Sequence, residues 1–187
     1  GDGNTLAVGA IYEDSPAWTV NGNQGDSRAY EASGATYIYV RDGENWSQQA
    51  YLKASGSSAV DNFGHALALS SDGHTLAVSA PREETGEQDE NSGAVYVFAR
   101  VGTSWNEQAY VRSSNPMASQ FFGRSVALSA DANTLAVGAS EESGSSTGID
   151  GNQASQGLES SGAVYVFVRT LVLGVELPAN ATPDQIA

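Results

Sequence analysis

The chain has 187 residues, a net charge of −14 with only eight basic residues, and no cysteine. This charge argues against nucleic-acid binding, because a phosphate backbone requires a basic surface. Without cysteine, the protein has neither disulfides nor thiolate chemistry, and its apolar runs are too short to cross a bilayer as a helix. Abundant acid with little lysine is typical of a secreted or cell-surface protein.

The chain opens with a phrase that returns twice. Residues 2–10 read DGNTLAVGA, residues 72–80 read DGHTLAVSA, and residues 131–139 read DANTLAVGA. A second phrase follows the first each time and begins with Ser-Gly-Ala at residues 33, 92 and 161. Repetition of this kind predicts supersecondary units that bury their apolar faces by stacking on their copies.

The repeat length is 59 residues, as the spacing of Trp46 and Trp105 shows, except across the connection between the two phrases. That connection has 22 residues in the first copy (11–32), 11 in the second (81–91) and 21 in the third (140–160). Insertions confined to one connection indicate a surface loop that leaves the stacked strands in register.

The second copy predicts four strands, at 65–70, 75–80, 93–100 and about 105–111, with an Asp-Gly hairpin turn between the first two. The third strand is apolar on both faces, which indicates a sheet covered on both sides. We therefore predict an all-β protein, a β-propeller of four-stranded antiparallel blades. A β-sandwich is the alternative, but sandwiches seldom repeat so faithfully.

Three blades are expected, over residues 1–55, 56–115 and 116–170, and together they make one domain at 1–170. The first copy lacks strand one, and the third lacks the strand that begins with tryptophan. Residues 171–187 are expected to add one further strand and then a linker. Because a closed propeller has 4 to 8 blades, we expect a partial ring, completed by other blades of a longer chain or by another copy.

The motifs at the ends of strands one and two resemble the FG-GAP repeat, the blade unit of the integrin α-subunit N-terminal β-propeller and of many bacterial surface proteins. Phe-Gly stands at 63–64 and 122–123, and Gly-Ala at 9–10 and 138–139, while Ser79 replaces this glycine in the second copy. The resemblance covers about residues 2–170 and implies a propeller fold. Many members carry a three-aspartate calcium loop in the first hairpin. Here that hairpin has one carboxylate, Asp72 or Asp131, which is too few for Ca²⁺.

The long loops between strands two and three hold the remaining candidates for a metal site. Oxygen side chains alternate around a Gly-Asn-Gln core shared by the first and third loops, and with nearby acids they could form part of a Ca²⁺ shell. The candidate ligands are Glu13, Asp14, Asn21, Asn23, Asp26, Glu141, Glu142, Asp150 and Asn152. The alternative, which the loose spacing favours, is that these residues make tight turns and the acids are solvated.

Two aromatic residues of the first loop, Tyr12 and Trp18, have no counterparts in the other copies and are candidate partner contacts. We therefore expect a non-enzymatic propeller segment of a secreted or cell-surface protein. It would bind a protein or glycan through its loops, with Ca²⁺ as an optional cofactor. The alternatives are a purely structural assembly module and the propeller part of a glycan-active enzyme, although no pair of acids recurs in a catalytic arrangement.

Overall fold

The structure is a computed structural model that describes residues 2–25, 27–84, 90–152 and 157–169, and these residues form three antiparallel sheets. Sheet 1 has the order β1-β2-β3, sheet 2 the order β4-β5-β6-β7, and sheet 3 the order β8-β9-β10. The strands are β1 Thr5–Ala10, β2 Ala35–Asp42, β3 Asn45–Leu52, β4 Leu67–Leu69, β5 Thr75–Ala80, β6 Ala94–Val101, β7 Ser104–Val111, β8 Phe122–Leu128, β9 Thr134–Ala139 and β10 Ala163–Val168.

Outside the strands, a short 3₁₀ helix spans Arg28–Tyr30 in the first long loop. Within the described ranges, no helix has both the length and the apolar character needed to span a membrane. The predicted extra strand and linker at 171–187 lie outside the described residues. The architecture confirms the prediction of a nearly all-β protein built of propeller-like blades.

Strands two, three and four of the second copy form within a residue of their predicted bounds, whereas strand one is shorter than predicted. It covers Leu67–Leu69 instead of 65–70. Just before this strand, Gly64 adopts a φ of 92°, which glycine reaches at low cost. Gly64 and His65 both donate their N–H groups to the carbonyl of Ser79, so regular pairing starts later.

The hairpin turns between strands one and two are closed by the single aspartate that each contains. Asp72 Oδ1 accepts hydrogen bonds from Ser70 Oγ (2.6 Å) and from the N–H of His74 (2.9 Å). Asp131 Oδ1 accepts the same pair of bonds, from Ser129 Oγ (2.6 Å) and from the N–H of Asn133 (3.1 Å). These bonds lower the pKa of both carboxyls, in each case chiefly through the serine hydroxyl. Each aspartate therefore has a local role in forming the turn.

The core lies between the sheets rather than within any one of them. One apolar cluster joins sheets 1 and 2 through residues such as Ile38, Leu76 and Phe98, and a second joins sheets 2 and 3 through Val95, Phe122 and Val137. The neighbouring residues Val95 and Tyr96 of β6 belong to different clusters, and both are buried. Sheet 2 is therefore covered on both faces, as its apolar third strand predicted.

The Phe-Gly phenylalanines occupy equivalent places in the two junctions. Phe63 meets the ring of Tyr96 edge-on at 5.5 Å between centroids, and Phe122 meets that of Tyr165 at 5.4 Å. Both phenylalanines are fully buried. Burial of a phenylalanine stabilises by roughly 1.5–3 kcal/mol, and each of the two lies in the apolar cluster that joins its sheet to the preceding one.

Two sheet faces at the ends of the stack are exposed. Leu6 and Val8 of β1 lie on one of them, and Val164, Val166 and Val168 of β10 lie on the other. The corresponding strand-two residues of sheet 2, Leu76 and Val78, are fully buried. Exposed apolar faces of this kind are typical of surfaces that contact another protein unit.

Candidate functional site

Three loops join strands two and three of the sheets, and each passes through a narrow neck. Loop 1 is residues 11–34, loop 2 is 81–93, and loop 3 is 140–162. At each neck a glutamate carbonyl accepts the N–H of the glycine in the Ser-Gly-Ala phrase. The pairs are Glu13 with Gly34 (2.9 Å), Glu83 with Gly93 (3.0 Å), and Glu142 with Gly162 (2.8 Å).

The adjacent serine hydroxyl donates to the same carbonyl in every copy, from Ser33 (3.3 Å), Ser92 (3.5 Å) and Ser161 (3.1 Å). The backbone therefore fixes a glutamate at the base of each loop. Sequence reasoning missed this feature in the second copy, although a recognisable signal exists. A glutamate stands three residues after the last residue of strand two in all three copies.

In the first neck, the glutamate carboxylate forms an ion pair. Lys53 Nζ lies 2.9 Å from Glu13 Oε2, and the lysine side chain has no exposed surface. Lys53 also donates to Ser33 Oγ and to the carbonyl of Gly34, both at 2.7 Å. All three donor positions of the ammonium group are thereby satisfied, as a buried charge requires.

Burial and the ion pair together shift the pKa values of Glu13 and Lys53. Burial acts to raise the pKa of Glu13, but hydrogen bonds from Lys53 and Tyr51 and the charge of Lys53 outweigh it, so this pKa lies below its ordinary value. Burial lowers the pKa of Lys53, and Glu13 partly offsets that change. Next to the pair, Ser15 Oγ contacts the Tyr51 hydroxyl through a short hydrogen bond.

In the second neck, the equivalent glutamate is bonded by a tyrosine. Tyr96 donates its hydroxyl to Glu83 Oε1 at 2.8 Å. Burial raises the pKa of Glu83 to about 8 despite this bond, and the charge of Asp61 adds to the shift. Burial also raises the pKa of Asp61 to about 7, against a hydrogen bond from the N–H of Ser58. Glu83 is therefore mostly protonated at neutral pH.

The third neck differs again. Glu142 is buried, and its Oε2 accepts the N–H of Gly144 at 2.8 Å. Tyr165, the counterpart of Tyr96, donates its hydroxyl to Asn115 Oδ1 at 2.7 Å. The three copies thus share the backbone arrangement and differ in the group that the carboxyl contacts.

The predicted calcium ligands of loop 1 are bonded to the protein. Asp14 Oδ1 accepts the N–H of Ala32 at 2.7 Å, and Asn23 Oδ1 accepts that of Gly25 at 3.0 Å. Asn21 makes two hydrogen bonds to the backbone of Tyr51. Its side-chain Oδ1 accepts the N–H of Tyr51 at 2.9 Å, and its own backbone N–H donates to the carbonyl of Tyr51 at 2.7 Å. Asn21 thereby covers the free edge of β3, which would otherwise be open to another strand. Asp26 lies outside the described residues.

The predicted ligands of loop 3 are mostly at the surface. Glu141, Asp150 and Asn152 are exposed, whereas Glu142 is buried in its neck. Among the described residues, no three acidic or histidine side chains are grouped as a metal site requires. Asn21 and Asp150 both have a φ of 55° and both precede a glycine, which agrees with the alternative interpretation as turn residues. Calcium binding remains a prediction.

Tyr12 and Trp18 are exposed, by 77% and 60% respectively. The loop between and around them is anchored, because Ala17 is buried against Ala35 and Tyr51. The first neck, at Glu13, and the Asn21 contact hold the loop on both sides of Trp18, and Tyr12 lies between the end of β1 and this neck. In loop 2, Glu84 and Glu90 are exposed, and residues 85–89 lie outside the description.

Comparison with known proteins identifies the repeat. The FG-GAP repeat family matches residues 46–98 and 105–167, which is more than half of the chain. No curated protein matches the sequence significantly. Among solved structures, the periplasmic gluconolactonase of Pseudomonas aeruginosa is similar at 15% sequence identity, with a TM-score of 0.43. The similarity covers 96% of this chain and 36% of the gluconolactonase chain.

Proposed function

Because this chain belongs to the FG-GAP repeat family, we propose that it is a non-enzymatic β-propeller segment of a secreted or cell-surface protein that binds a protein or glycan through loop 1. The observation that carries the proposal is the exposure of Tyr12 and Trp18 on an anchored loop. Exposed aromatic side chains on a rigid support are the usual anchors of binding surfaces.

The anchoring matters because binding otherwise has to order the loop. Loop 1 is already bonded to β3 and the residue after it through Asn21 and Glu13, and Asp14 bonds Ala32 across the loop. A partner that covers Trp18 would therefore immobilise little more than the aromatic side chains themselves. Side-chain ordering costs roughly 0.5–1.5 kcal/mol for each residue, so a pre-ordered loop retains more of the contact energy as affinity.

Charge further defines the partner. The chain carries a net charge of −14, and the sequence of loop 1 contributes four acids, Glu13, Asp14, Asp26 and Glu31, against one base, Arg28. We expect a partner with an apolar centre and a basic or neutral rim, because like charges across an interface are repulsive. Asp14 and Asn23 each accept one backbone hydrogen bond, so Ca²⁺ would bind them through their remaining lone pairs.

The test is a binding screen of the full chain against panels of glycans and extracellular proteins, followed by Trp18→Ala and Tyr12→Ala. We expect the Trp18 variant to weaken binding of any identified partner at least tenfold, because truncation of a buried aromatic anchor costs 2 kcal/mol or more, as a rough figure. Val101→Ala is the matched control, since Val101 is as exposed but lies at the β6–β7 turn.

Two results would overturn the proposal. One is a partner whose affinity is unchanged in a Tyr12→Ala/Trp18→Ala double variant and reduced by Val101→Ala. The other is a screen in which variants with loop 1 residues deleted keep both binding and surface assembly. This result would favour the purely structural role. Calorimetry with Ca²⁺ on the wild type and on a Glu13/Asp14/Asp26 triple-alanine variant tests the cofactor, and equal heats would remove it from the proposal.

A further inference from the structure

His65 and Arg124 hold the same position in consecutive repeats, directly after the Phe-Gly pair. Their side chains meet between sheets 2 and 3, where Arg124 Nη1 lies 3.2 Å from His65 Nε2. We call these two residues the inner pair. His65 precedes β4 and Arg124 lies in β8, and these first strands of their sheets are in contact. In a closed propeller such strands surround the central channel.

The backbone that carries His65 is held by one residue of β5. The carbonyl of Ser79 accepts the N–H groups of Gly64 (2.9 Å) and His65 (3.3 Å), and Ser79 Oγ accepts that of Ala66 (2.9 Å). Ser79 is fully buried, and it stands where the other two copies have glycine. Three consecutive N–H groups are therefore fixed around the imidazole, which gives the inner pair a rigid support.

The inner pair carries a positive charge that no carboxylate among the described residues neutralises. The ion pairs in the described ranges, at Lys53 and at His74, both lie elsewhere. Burial and then the charge of Arg124 lower the pKa of His65, so the imidazole is mostly neutral at pH 7. Among the described groups, Arg124 is the only one whose charge contributes to this shift, so the local field is positive.

The guanidinium has donors to spare. Nε2 of the neutral imidazole accepts one N–H from Arg124, which places the proton of His65 on Nδ1. A guanidinium has five N–H donors, and this contact uses one of them. Arg124 is exposed, and within the described part of the chain its side chain has no other hydrogen-bond acceptor than His65.

We infer that the inner pair binds a small carboxylate. The planar fork of Arg124 matches the two oxygens of a carboxylate, which can accept two parallel N–H bonds. The single charge of a carboxylate equals that of the pair, whereas a dianion would add excess negative charge to a chain of net charge −14. Charges more than about 8 Å away are largely screened at physiological ionic strength, so the guanidinium dominates the field at this position.

The test is a titration of the ¹⁵N-labelled full chain with sodium acetate, in which sodium chloride is withdrawn to keep the ionic strength constant. Long-range ¹H–¹⁵N spectra report the imidazole nitrogens of His65 and His74, the two histidines of the chain. We expect saturable shifts at His65 and at the Nε–H of Arg124. The resonances of His74, whose ring lies 3.7 Å from Asp72, should stay in place.

Two variants and a second anion sharpen the titration. Arg124→Gln should weaken the response of His65 at least about tenfold, because the charged donor is lost. Arg82→Gln is the matched control, since Arg82 is also exposed but lies in loop 2, and it should leave the response unchanged. Inorganic phosphate in place of acetate should bind more weakly, because it is largely a dianion at neutral pH.

Shifts that do not saturate, equal shifts at His65 and His74, or an unchanged response in Arg124→Gln would overturn the inference. Tighter binding of phosphate than of acetate would overturn the assignment of the ligand as a carboxylate. The titration does not involve Tyr12 or Trp18, so its failure is distinguishable from failure of the proposed function.

Discussion

The faces of sheets 1 and 2 that point away from sheet 3 carry nearly the same sequence, but their surroundings differ. Sheet 2 receives sheet 1 on this face, whereas on sheet 1 Ala17 of loop 1 packs in the cluster beside Tyr37, and Leu6 and Val8 stay exposed. Trp105 is 2% exposed and donates its indole N–H to Gln49 of sheet 1 at 2.9 Å. Trp46, one repeat earlier, is 45% exposed.

The glutamates at the two necks differ in the same way. Glu13 pairs with Lys53 and is ionised, whereas Glu83 lies in the junction, bonds Tyr96 and holds its proton at neutral pH. The repeat therefore specifies where the backbone places a side chain. The neighbouring sheet or loop then decides whether that side chain is buried, charged or free to contact a partner.

The largest expected effect comes from the tryptophan pair. Trp105→Ala should lower the free energy of unfolding by about 4 kcal/mol, because it removes a buried aromatic side chain and leaves a cavity between the sheets. Trp46→Ala should cost about 1 kcal/mol, since half of that side chain is already in water. Each tryptophan has an arginine over its ring, Arg100 at 5.4 Å from Trp105 and Arg41 at 6.0 Å from Trp46. The two variants therefore lose the same kind of cation–π contact. Urea denaturation measures the difference, and equal costs would mean that the two faces are covered alike.

A smaller effect is expected from the ion pair in the first neck. Lys53→Met should destabilise the protein by about 2 kcal/mol, because it leaves the Glu13 carboxylate without its cation in a partly buried site. The double variant Glu13→Gln/Lys53→Met should recover most of this loss, since no charge then remains unpaired. Denaturation of the three proteins at pH 7 gives the coupling. A double variant no more stable than Lys53→Met would show that Lys53 acts through packing instead.

The smallest change for a single step, here one pH unit, is expected from the second neck, where stability depends on pH. The folded pKa values of Asp61 and Glu83, about 7 and about 8, lie above those of the unfolded chain. Their contribution is complete below the unfolded pKa values and decreases as the pH rises through the folded ones. Glu83 alone should lower stability by about 1 kcal/mol for each pH unit between roughly pH 5 and 8.

Glu83→Gln sharpens this prediction because the amide retains an acceptor for Tyr96 and cannot ionise. The variant should match the wild type near pH 5, exceed its stability at pH 8.5, and show a flatter profile between. Thermal unfolding across that range provides the measurement. Parallel profiles for the two proteins would place the titration outside the second neck.

Much of the fold was predictable from the sequence. Repeated phrases locate strands two and three, and the apolar run in β6 predicts a sheet covered on both faces. Strand one is shorter than predicted because Gly64 and His65 both donate their N–H groups to one carbonyl, that of Ser79, which a strand pattern does not reveal. The FG-GAP family was also recognisable, since its Phe-Gly and Gly-Ala motifs recur at fixed spacing.

The candidate site was less predictable because its contacts are distant in sequence. Glu13 was among the predicted ligands, and Glu83 could have been found by counting from the end of strand two, but Lys53, the partner of Glu13, has no lysine counterpart in the next copy. The alignment of Asn21 with Asp150 identified a shared backbone turn. It could not indicate that Asn21 covers the edge of β3, which depends on the folded position of Tyr51.

The stacking of one sheet on the next is tested most directly by a ¹⁵N-edited NOESY spectrum of the two outer-strand tryptophans. A cross-peak from the Trp105 indole N–H to the Gln49 side chain is expected, together with slow exchange of that proton with water. The indole of Trp46 serves as an internal reference with rapid exchange. A Trp105 indole that exchanges as fast as Trp46 and shows no cross-peak to Gln49 would contradict the stacked arrangement.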